Sequence, residues 1–280
     1  MTYLSLKNEE IDFNSVKLVE FWEGVYRSSW HLHSSPTVSD RYYYNMVVRF
    51  FKKYAPVRPG LRVLKLDMYN EATSTNYADY YLKGGAEMVF AEISRSISQH
   101  AKQKLSDDGF DSLVNPIQTD FRTLPFKDEC FDVSCSFGSI EHTPQWGKTI
   151  AEQIRVVKKG GVVIIGVPNI YNIWMRYHLN VLVDKLKLLE KFTNFEIHFT
   201  RDKLSQVVIK HGLKNVKISG YHFFPKILRW VDLYTKCHNE KFNKIYSLLI
   251  APGLSFCAKL ENKETRLNLL SENLIAIGVK

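Results

Sequence analysis

The strongest fold signal in the chain lies in Phe131-Asp132-Val133-Ser134-Cys135-Ser136-Phe137-Gly138-Ser139-Ile140-Glu141-His142. The first seven residues form a short, largely apolar run behind the polar pair Asp128-Glu129, which predicts a buried strand. Gly138 follows at once, and titratable side chains come directly after it. In open α/β sheets, ligands bind beyond the carboxyl ends of the strands. The segment therefore predicts a strand that ends at a functional site.

Strands and helices alternate on both sides of this segment. Further strands are predicted at Arg62–Leu66, Glu87–Ile93, Leu113–Gln118 and Val162–Val167, and helices at Ser94–Leu105 and Thr149–Val157. The segment Lys158-Lys159-Gly160-Gly161 is expected to end the second helix. Such alternation is typical of a parallel sheet with helices on both faces and right-handed crossovers. The predicted class is α/β and Rossmann-like.

The two ends of the chain read as helical and aromatic additions to one domain, residues 1–280. Residues 1–55 predict an N-terminal helical lid, with a helix capped by Ser39 or Asp40 and running to about Tyr54. Residues 60–169 form the core. Residues 170–198 and 223–270 predict helical insertions, separated by a helix over Thr200–His211 and a strand over Val216–Ser219. Leu274–Val279 predicts the last strand.

Composition narrows the functional classes. The formal net charge is +9, but the basic residues are scattered and form no run of five. The four cysteines form no CxxC pair, and His31 and His33 lack a nearby carboxylate, so no metal site is predicted. The longest uncharged runs are shorter than a transmembrane helix, and no signal-peptide core is present. We expect a cytoplasmic protein, with peripheral contact at the inner face of the membrane as an option.

The stretch from Phe131 to Asn169 resembles the second half of a class I S-adenosylmethionine-dependent methyltransferase of the type 11 group. The resemblance is carried by Glu141-His142 after the fourth strand and by the Lys-x-Gly-Gly turn before the fifth. Phe199 to Leu213, followed by a strand, resembles the family's fifth helix and sixth strand. The likeness covers roughly residues 60–221 and the last strand. It implies a mostly parallel seven-stranded sheet, S-adenosyl-L-methionine as cofactor, and methyl transfer.

Two carboxylates match the family's nucleoside contacts. Glu92 stands at the end of the second strand, where an acceptor for ribose hydroxyls is needed, and Ile93 can lie against the adenine ring. Asp120 matches the acceptor for the adenine amino group, with Phe121 as an apolar wall. The alternatives are that Glu92 caps the next helix and that Asp120 is an ordinary turn residue.

The first motif departs from the family. Lys65 occupies the usual acidic position and Asp67 the usual first glycine, and the segment holds no glycine before Gly84. Either Asp67 or Glu71 contacts the cofactor's amino group instead, or the pocket is narrowed and the cofactor lost. The cofactor-binding residues expected from the resemblance are Leu66, Asp67, Met68, Glu71, Glu92, Ile93, Asp120, Phe121, Ser136 and Gly138.

His142 and Glu141 are the catalytic candidates. His142 can take a proton from a hydroxyl or amine acceptor near neutral pH. The alternative is that both residues brace the next helix. Candidate substrate contacts are Trp22, Tyr26, Trp30 and Tyr171, although the N-terminal aromatic residues also suit simple helix packing.

Three functional classes remain open at this point. The leading one is methyl transfer to an oxygen or nitrogen of a sugar, a lipid-linked molecule or a secondary metabolite. A catalytically inactive, methyltransferase-like binding or regulatory subunit is the alternative that the altered first motif favours. An RNA methyltransferase is weaker, because no RNA-binding module flanks the core. The missing G-x-G-x-x-G turn disfavours a dehydrogenase. The oligomeric state is not predicted.

Overall fold

The protein is built around a seven-stranded sheet with the strand order β3-β2-β1-β4-β5-β7-β6. The structure, a computed structural model, describes residues 15–28, 36–175 and 196–280. Strands β1 to β5 pair in parallel, and β7 is antiparallel to both β5 and β6. The strands are β1 (Arg62–Leu66), β2 (Glu87–Glu92), β3 (Val114–Gln118), β4 (Phe131–Phe137), β5 (Val157–Pro168), β6 (Lys214–Tyr221) and β7 (Asn273–Val279).

Helices cover both faces of the sheet. They are α1 (Ser15–Ser28), α2 (Val38–Tyr54), α3 (Tyr69–Ala72), α4 (Asp79–Lys83), α5 (Arg95–Asp107), α6 (Trp146–Arg155), α7 (Arg201–Lys210), α8 (Lys226–His238) and α9 (Glu240–Asn262). A short 3-10 turn, Ile140–His142, follows β4. The predicted Rossmann-like α/β class is confirmed, whereas the assignment of all 280 residues to one domain stays a prediction.

The core consists of two apolar layers, because successive strand residues point to opposite faces of the sheet. In β1, Val63 joins the layer that includes Phe51 of α2 and Ile97 of α5. Its neighbour Leu64 joins the layer with Ile150 of α6 and Leu204 of α7. The carboxyl ends of the parallel strands thus lie at one edge, framed by helices.

Two predicted boundaries are wrong. Thr37, not Ser39 or Asp40, caps α2: its hydroxyl accepts from the Asp40 backbone N–H, and the Asp40 carboxylate accepts from the Thr37 N–H. The Lys-Lys-Gly-Gly segment belongs to β5 rather than to a helix end. Pairing with β4 jumps from Phe131↔Val157 to Val133↔Val162, so this segment bulges within the extended chain.

The insertion predicted over residues 223–270 is helical, as α8 and α9. Asn243 of α9 donates to the Asp232 carboxylate of α8, which joins the two helices. Ile250 and Leu254 pack on Tyr42 and Met46 of α2 in a small cluster of their own. Of the insertion predicted over 170–198, residues 176–195 lie outside the described part of the chain.

Candidate functional site

A narrow crevice lies at the carboxyl ends of β2, β3 and β4. It is lined by Leu18, Trp22, Ile93, Asp120, Phe121, His142 and Thr143. Four of these were predicted as cofactor or catalytic residues, and Trp22 as a substrate contact. The chain therefore brings together residues from four separate parts of the sequence at the edge where this fold binds ligands.

Helix α1 forms the outer wall of the crevice. The Trp22 ring meets the His142 ring edge to face, with 5.5 Å between centroids. Glu23 holds the helix in place, because its carboxylate accepts from the Ser94 hydroxyl at 2.8 Å and from the Ser96 backbone N–H at 3.1 Å. N–H groups in the first turn of a helix have no acceptor within the helix, and a negative charge is favourable there.

Glu92 closes the inner end of the site. Its carboxylate accepts from the backbone N–H of Met68 at 2.9 Å and of Ser94 at 2.8 Å, and the residue is 2% exposed. Burial outweighs these hydrogen bonds and raises the pKa of Glu92 to about 7. Each carboxylate oxygen keeps a second lone pair, so two ribose hydroxyls could still be accepted. The predicted helix-capping alternative is only partly met, since it is Ser94 that caps α5.

A buried charge cluster replaces the glycine-rich loop after β1. The Lys65 ammonium lies 3.0 Å from the Glu71 carboxylate and 3.2 Å from that of Asp67. Burial favours the neutral amine, but the two carboxylates outweigh it and raise the pKa of Lys65. Lys65 is therefore a cation whose partners come from the loop itself.

Asp67 adopts the left-handed conformation that the family's glycine would supply. Its φ is +67°, a region that Asp and Asn tolerate better than most residues. The side chain stabilises this turn, since it accepts from the Tyr69 backbone N–H at 3.0 Å and from the Ser139 hydroxyl. Ser139 follows β4, so Asp67 ties two strand ends together. The missing glycine thus has a structural replacement.

The remaining crevice residues fit the base of a nucleoside. Ile93 and Phe121 provide apolar surfaces, and Asp120 lines the same crevice. Arg122 already donates to Asp120 at 2.6 Å. This pair orients the carboxylate and lowers its need for a further donor.

Glu141 and His142 occupy the 3-10 turn after β4. Glu141 is buried, and its carbonyl accepts from the Ile197 backbone N–H at 3.0 Å. His142 is half-buried and faces the crevice. The structure therefore separates the two candidates: His142 lines the site, whereas Glu141 sits behind it.

Several other predicted site residues lie elsewhere. Leu66 and Met68 are buried in opposite core layers, so only their backbone atoms are available to a ligand. The Ser136 hydroxyl donates to Gln153 at 3.1 Å inside the core. Gly138 is exposed beyond β4, and its φ of +80° requires glycine.

Among the predicted substrate contacts that the structure describes, Trp22 alone lines the crevice. Tyr26 packs edge-on against His100 of α5, and Tyr171 is 66% exposed after β5. Trp30 lies outside the described residues.

Four residues that carry this site were not predicted. Leu18 and Thr143 line the crevice, Ser139 binds Asp67, and Glu23 anchors α1. Ser139 was open to detection, because it follows Gly138 at the end of β4. Leu18 and Glu23 gave no local signal, since their contacts are long-range.

The crevice must widen to receive a nucleoside. It encloses only about 10 Å³ of free space, roughly room for one water molecule. The lining residues fit the adenosine part of S-adenosylmethionine, because Ile93 and Phe121 are apolar and Asp120 supplies a carboxylate. Leu18 and Trp22, which narrow the crevice from outside, both belong to α1.

Two other kinds of site were sought. Within the described ranges, no cluster of three or more His, Cys, Asp or Glu side chains is arranged to hold a metal ion. None of the helices over those same residues has the length and apolar character needed to cross a bilayer.

Comparison with known proteins matches the core of the chain. Residues 72–165 match the family model Methyltransf_11, described as a methyltransferase domain. The ubiquinone/menaquinone biosynthesis C-methyltransferase UbiE of Shewanella piezotolerans is 29% identical over 122 residues, 44% of this chain and 48% of that protein. The enzyme of the same name from Idiomarina loihiensis is 31% identical over 123 residues, 42% of this chain and 48% of that protein. The chain thus spans about half the length of these curated relatives.

Solved structures share the fold at low sequence identity. A SAM-dependent methyltransferase of Thermotoga maritima has a TM-score of 0.55 at 15% identity, covering 94% of this chain and 97% of that one. The [4+2]-cyclase SpnF has a TM-score of 0.61 at 12% identity, covering 95% and 96%. Phosphoethanolamine N-methyltransferase 2 of Haemonchus contortus, in complex with S-adenosyl-L-methionine, has a TM-score of 0.57 at 15% identity, covering 98% and 59%.

These structural matches establish the fold alone, and the cyclase shows that the fold carries more than one chemistry. The family match rests on sequence and covers the core from the end of α3 into β5. The family match thus places a type 11-like methyltransferase domain at residues 72–165, and the structural matches show the fold of a class I S-adenosylmethionine-dependent methyltransferase.

Proposed function

We propose that the protein transfers a methyl group from S-adenosylmethionine to an oxygen or nitrogen of a small-molecule acceptor, with a lipid-linked acceptor as the favoured class. The observation that carries this proposal is the crevice itself, where Ile93, Asp120, Phe121 and His142 meet at the carboxyl ends of three strands. Glu92 is the residue before Ile93, at the end of β2.

Each of these residues has a task that suits its surroundings. Glu92 accepts from the ribose hydroxyls, and Ile93 and Phe121 enclose the base. Asp120 accepts from the adenine amino group. Asp67 is the most accessible carboxylate of the β1 cluster, with 14% of its side chain exposed, and it attracts the cofactor's ammonium group.

When bound, S-adenosylmethionine supplies an electrophilic methyl group. His142 then holds the acceptor and takes the proton that its hydroxyl or amine loses, near neutral pH. Glu141, buried behind it, positions the 3-10 turn. Because the displacement is in line, orientation of the acceptor supplies most of the rate.

An apolar acceptor is supported by the chain beyond β5. Tyr171, Ile173, Trp174 and Met175 follow the carboxyl end of this strand and are all exposed. The Trp174 indole N–H donates to the Phe223 carbonyl at 2.7 Å, which links this stretch to the start of α8. A run of exposed apolar side chains that follows the carboxyl end of a sheet strand suits a substrate with a hydrocarbon portion.

The second candidate function is a binding subunit without catalysis. It is favoured by the buried Lys65–Glu71 pair, which occupies the loop where the family's glycines let a cofactor approach.

One labelling experiment separates the two. The protein is incubated with S-adenosylmethionine labelled in its methyl group, together with a lipid extract or a polar metabolite extract. We expect label in the lipid extract, and a loss of about a hundredfold or more in His142→Ala. The exposed Lys102→Ala serves as control. A folded protein that neither binds S-adenosylhomocysteine nor labels any acceptor would favour the binding subunit.

A further inference from the structure

The helical pair α8–α9 exposes an unusual amount of apolar surface. On α9 the exposed side chains are Phe242, Ile245, Leu248, Leu249 and Phe256, which we call the α9 apolar face. Leu248 is 76% exposed and Leu249 73%. Their positions fall at helical spacing, so they form one continuous strip. Isolated exposed leucines are common, but a continuous strip marks an interaction site.

Helix α8 extends this strip. Ile227, Leu228 and Trp230 are exposed on it, and the Tyr246 hydroxyl of α9 donates to the Leu228 carbonyl at 2.9 Å. Tyr246 also stacks on Phe242. The exposed apolar residues of the two helices therefore adjoin each other.

The opposite side of α9 is fixed to the protein. Ile250 and Leu254 are buried against α2. The buried Glu261 carboxylate near its end accepts from the backbone N–H groups of His222 and Phe223. The α9 apolar face is thus held outward by a rigid attachment.

Exposed lysines lie along the same helix, beside the strip. Lys241, Lys244 and Lys259 are exposed along α9. The acidic residues of the two helices do not balance them. Asp232 and Glu261 are buried, and Glu240 pairs with Lys236 at 3.4 Å.

We propose that the α9 apolar face docks the protein on the surface of an anionic membrane. Apolar side chains that enter the boundary between headgroups and acyl chains, with lysines at headgroup level, are the features that hold interfacial helices on anionic bilayers. A second copy of the chain fits less well, because pairing the face with itself would bring the same lysines together. This inference goes beyond the proposed methyl transfer and does not depend on it.

Vesicle flotation tests the docking. The full-length protein is mixed with vesicles of phosphatidylcholine alone or of phosphatidylcholine with phosphatidylglycerol. We expect binding to the anionic vesicles only. Leu248→Glu/Leu249→Glu should weaken it about a hundredfold, since burial of each leucine is worth about tenfold or more. Lys241→Ala/Lys244→Ala should weaken it about thirtyfold.

Matched controls come from surfaces outside the α8–α9 pair. Ile209→Glu replaces an exposed apolar residue of α7, and Lys102→Ala an exposed lysine of α5, and both should bind like the wild type. Circular dichroism and S-adenosylhomocysteine titration of every variant keep folding and the cofactor site separate from docking.

Three results would overturn the proposal. They are absence of vesicle binding by folded protein, equal binding to neutral vesicles, and unchanged binding in the leucine variant. Light scattering adds a fourth: a wild-type dimer that Leu248→Glu/Leu249→Glu makes monomeric would show that the occupant is a second copy.

Discussion

Replacing Glu92 by Gln should remove one specific pH dependence from the protein. Burial raises the pKa of Glu92 from its ordinary value of 4.5 to about 7 in the folded chain. Below pH 4.5 the carboxyl is protonated in both states, so it has no effect on stability. Between about pH 4.5 and 7 the unfolded chain releases the proton while the folded chain keeps it. Stability therefore falls as pH rises through this window.

The magnitude follows from the size of the change in pKa. Raising the pKa from 4.5 to about 7 corresponds to about 3 kcal/mol of unfolding free energy lost by pH 8. The uncharged Gln has no such loss, although its amide leaves one of the Met68 and Ser94 backbone N–H groups without an acceptor. That second cost is nearly independent of pH, so comparison of the two proteins across pH isolates the carboxyl.

Urea unfolding of wild type and Glu92→Gln at pH 5 and pH 8 measures this difference. The control is Glu87→Gln, which changes the half-buried carboxylate at the other end of β2. We expect the wild type to lose about 2.5 kcal/mol more than Glu92→Gln between the two pH values, since a small part of the loss has already occurred at pH 5. Glu87→Gln should behave like the wild type. Parallel pH profiles for all three proteins would refute the reasoning.

Cofactor affinity should follow the same titration. Ionised Glu92 accepts two hydroxyls, so the affinity for S-adenosylhomocysteine should rise about tenfold per pH unit up to about pH 7 and then level off. In Glu92→Gln, binding should be about tenfold to a hundredfold weaker at pH 8 and independent of pH.

Three further changes test other parts of the structure. Lys65→Met should lower the free energy of unfolding by about 3 kcal/mol in urea, because two carboxylates lose their cation. The double variant Lys65→Met/Glu71→Gln should be destabilised by less than the sum of the two single variants; equal values would show that the two residues are not coupled. Trp22→Ala should lose about 1–2 kcal/mol of stability yet bind S-adenosylhomocysteine faster in stopped flow, whereas slower association would mean that the α1 wall does not restrict entry. Burial lowers the pKa of His222, so the folded chain keeps this ring neutral and loses stability as pH falls below 6.5. In thermal melts at pH 5 and 7, His222→Asn should lose less stability than the wild type. An equal loss would show that His222 is not the source of this pH dependence.

Much of the sheet could be predicted, because the local sequence of several strands is typical of buried strands. Strands β2 and β4 are short, mostly apolar runs, and β4 was placed without error at Phe131–Phe137. The start of β5 could not be placed in this way. Lys158 and Gly160 look like a helix end, but Lys158 pairs with Asp132 of β4 at 2.8 Å and the Gly160 N–H donates to the carbonyl of Lys280. These long-range contacts determine that the segment is a strand, and the local sequence does not reveal them.

The sequence predicted the crevice residues that follow the sheet strands but not the wall formed by α1. Ile93, Asp120, Phe121 and His142 follow strand ends, and the resemblance to the methyltransferase family pointed to those positions. The outer wall comes from α1, more than 60 residues earlier in the chain, and no local pattern connects Trp22 with His142. The Lys65 cluster lies between these cases: the sequence showed that the first motif was altered, and the structure supplied the pairing that replaces it.

Calorimetric titration with S-adenosylhomocysteine is the most direct measurement of a working cofactor site in the crevice. Wild-type protein should bind one molecule saturably, and Asp120→Ala should weaken that binding about tenfold or more, while the exposed Lys102→Ala leaves it unchanged. A well-folded wild type that shows no saturable binding would contradict the presence of a cofactor site between α1 and the ends of β2, β3 and β4.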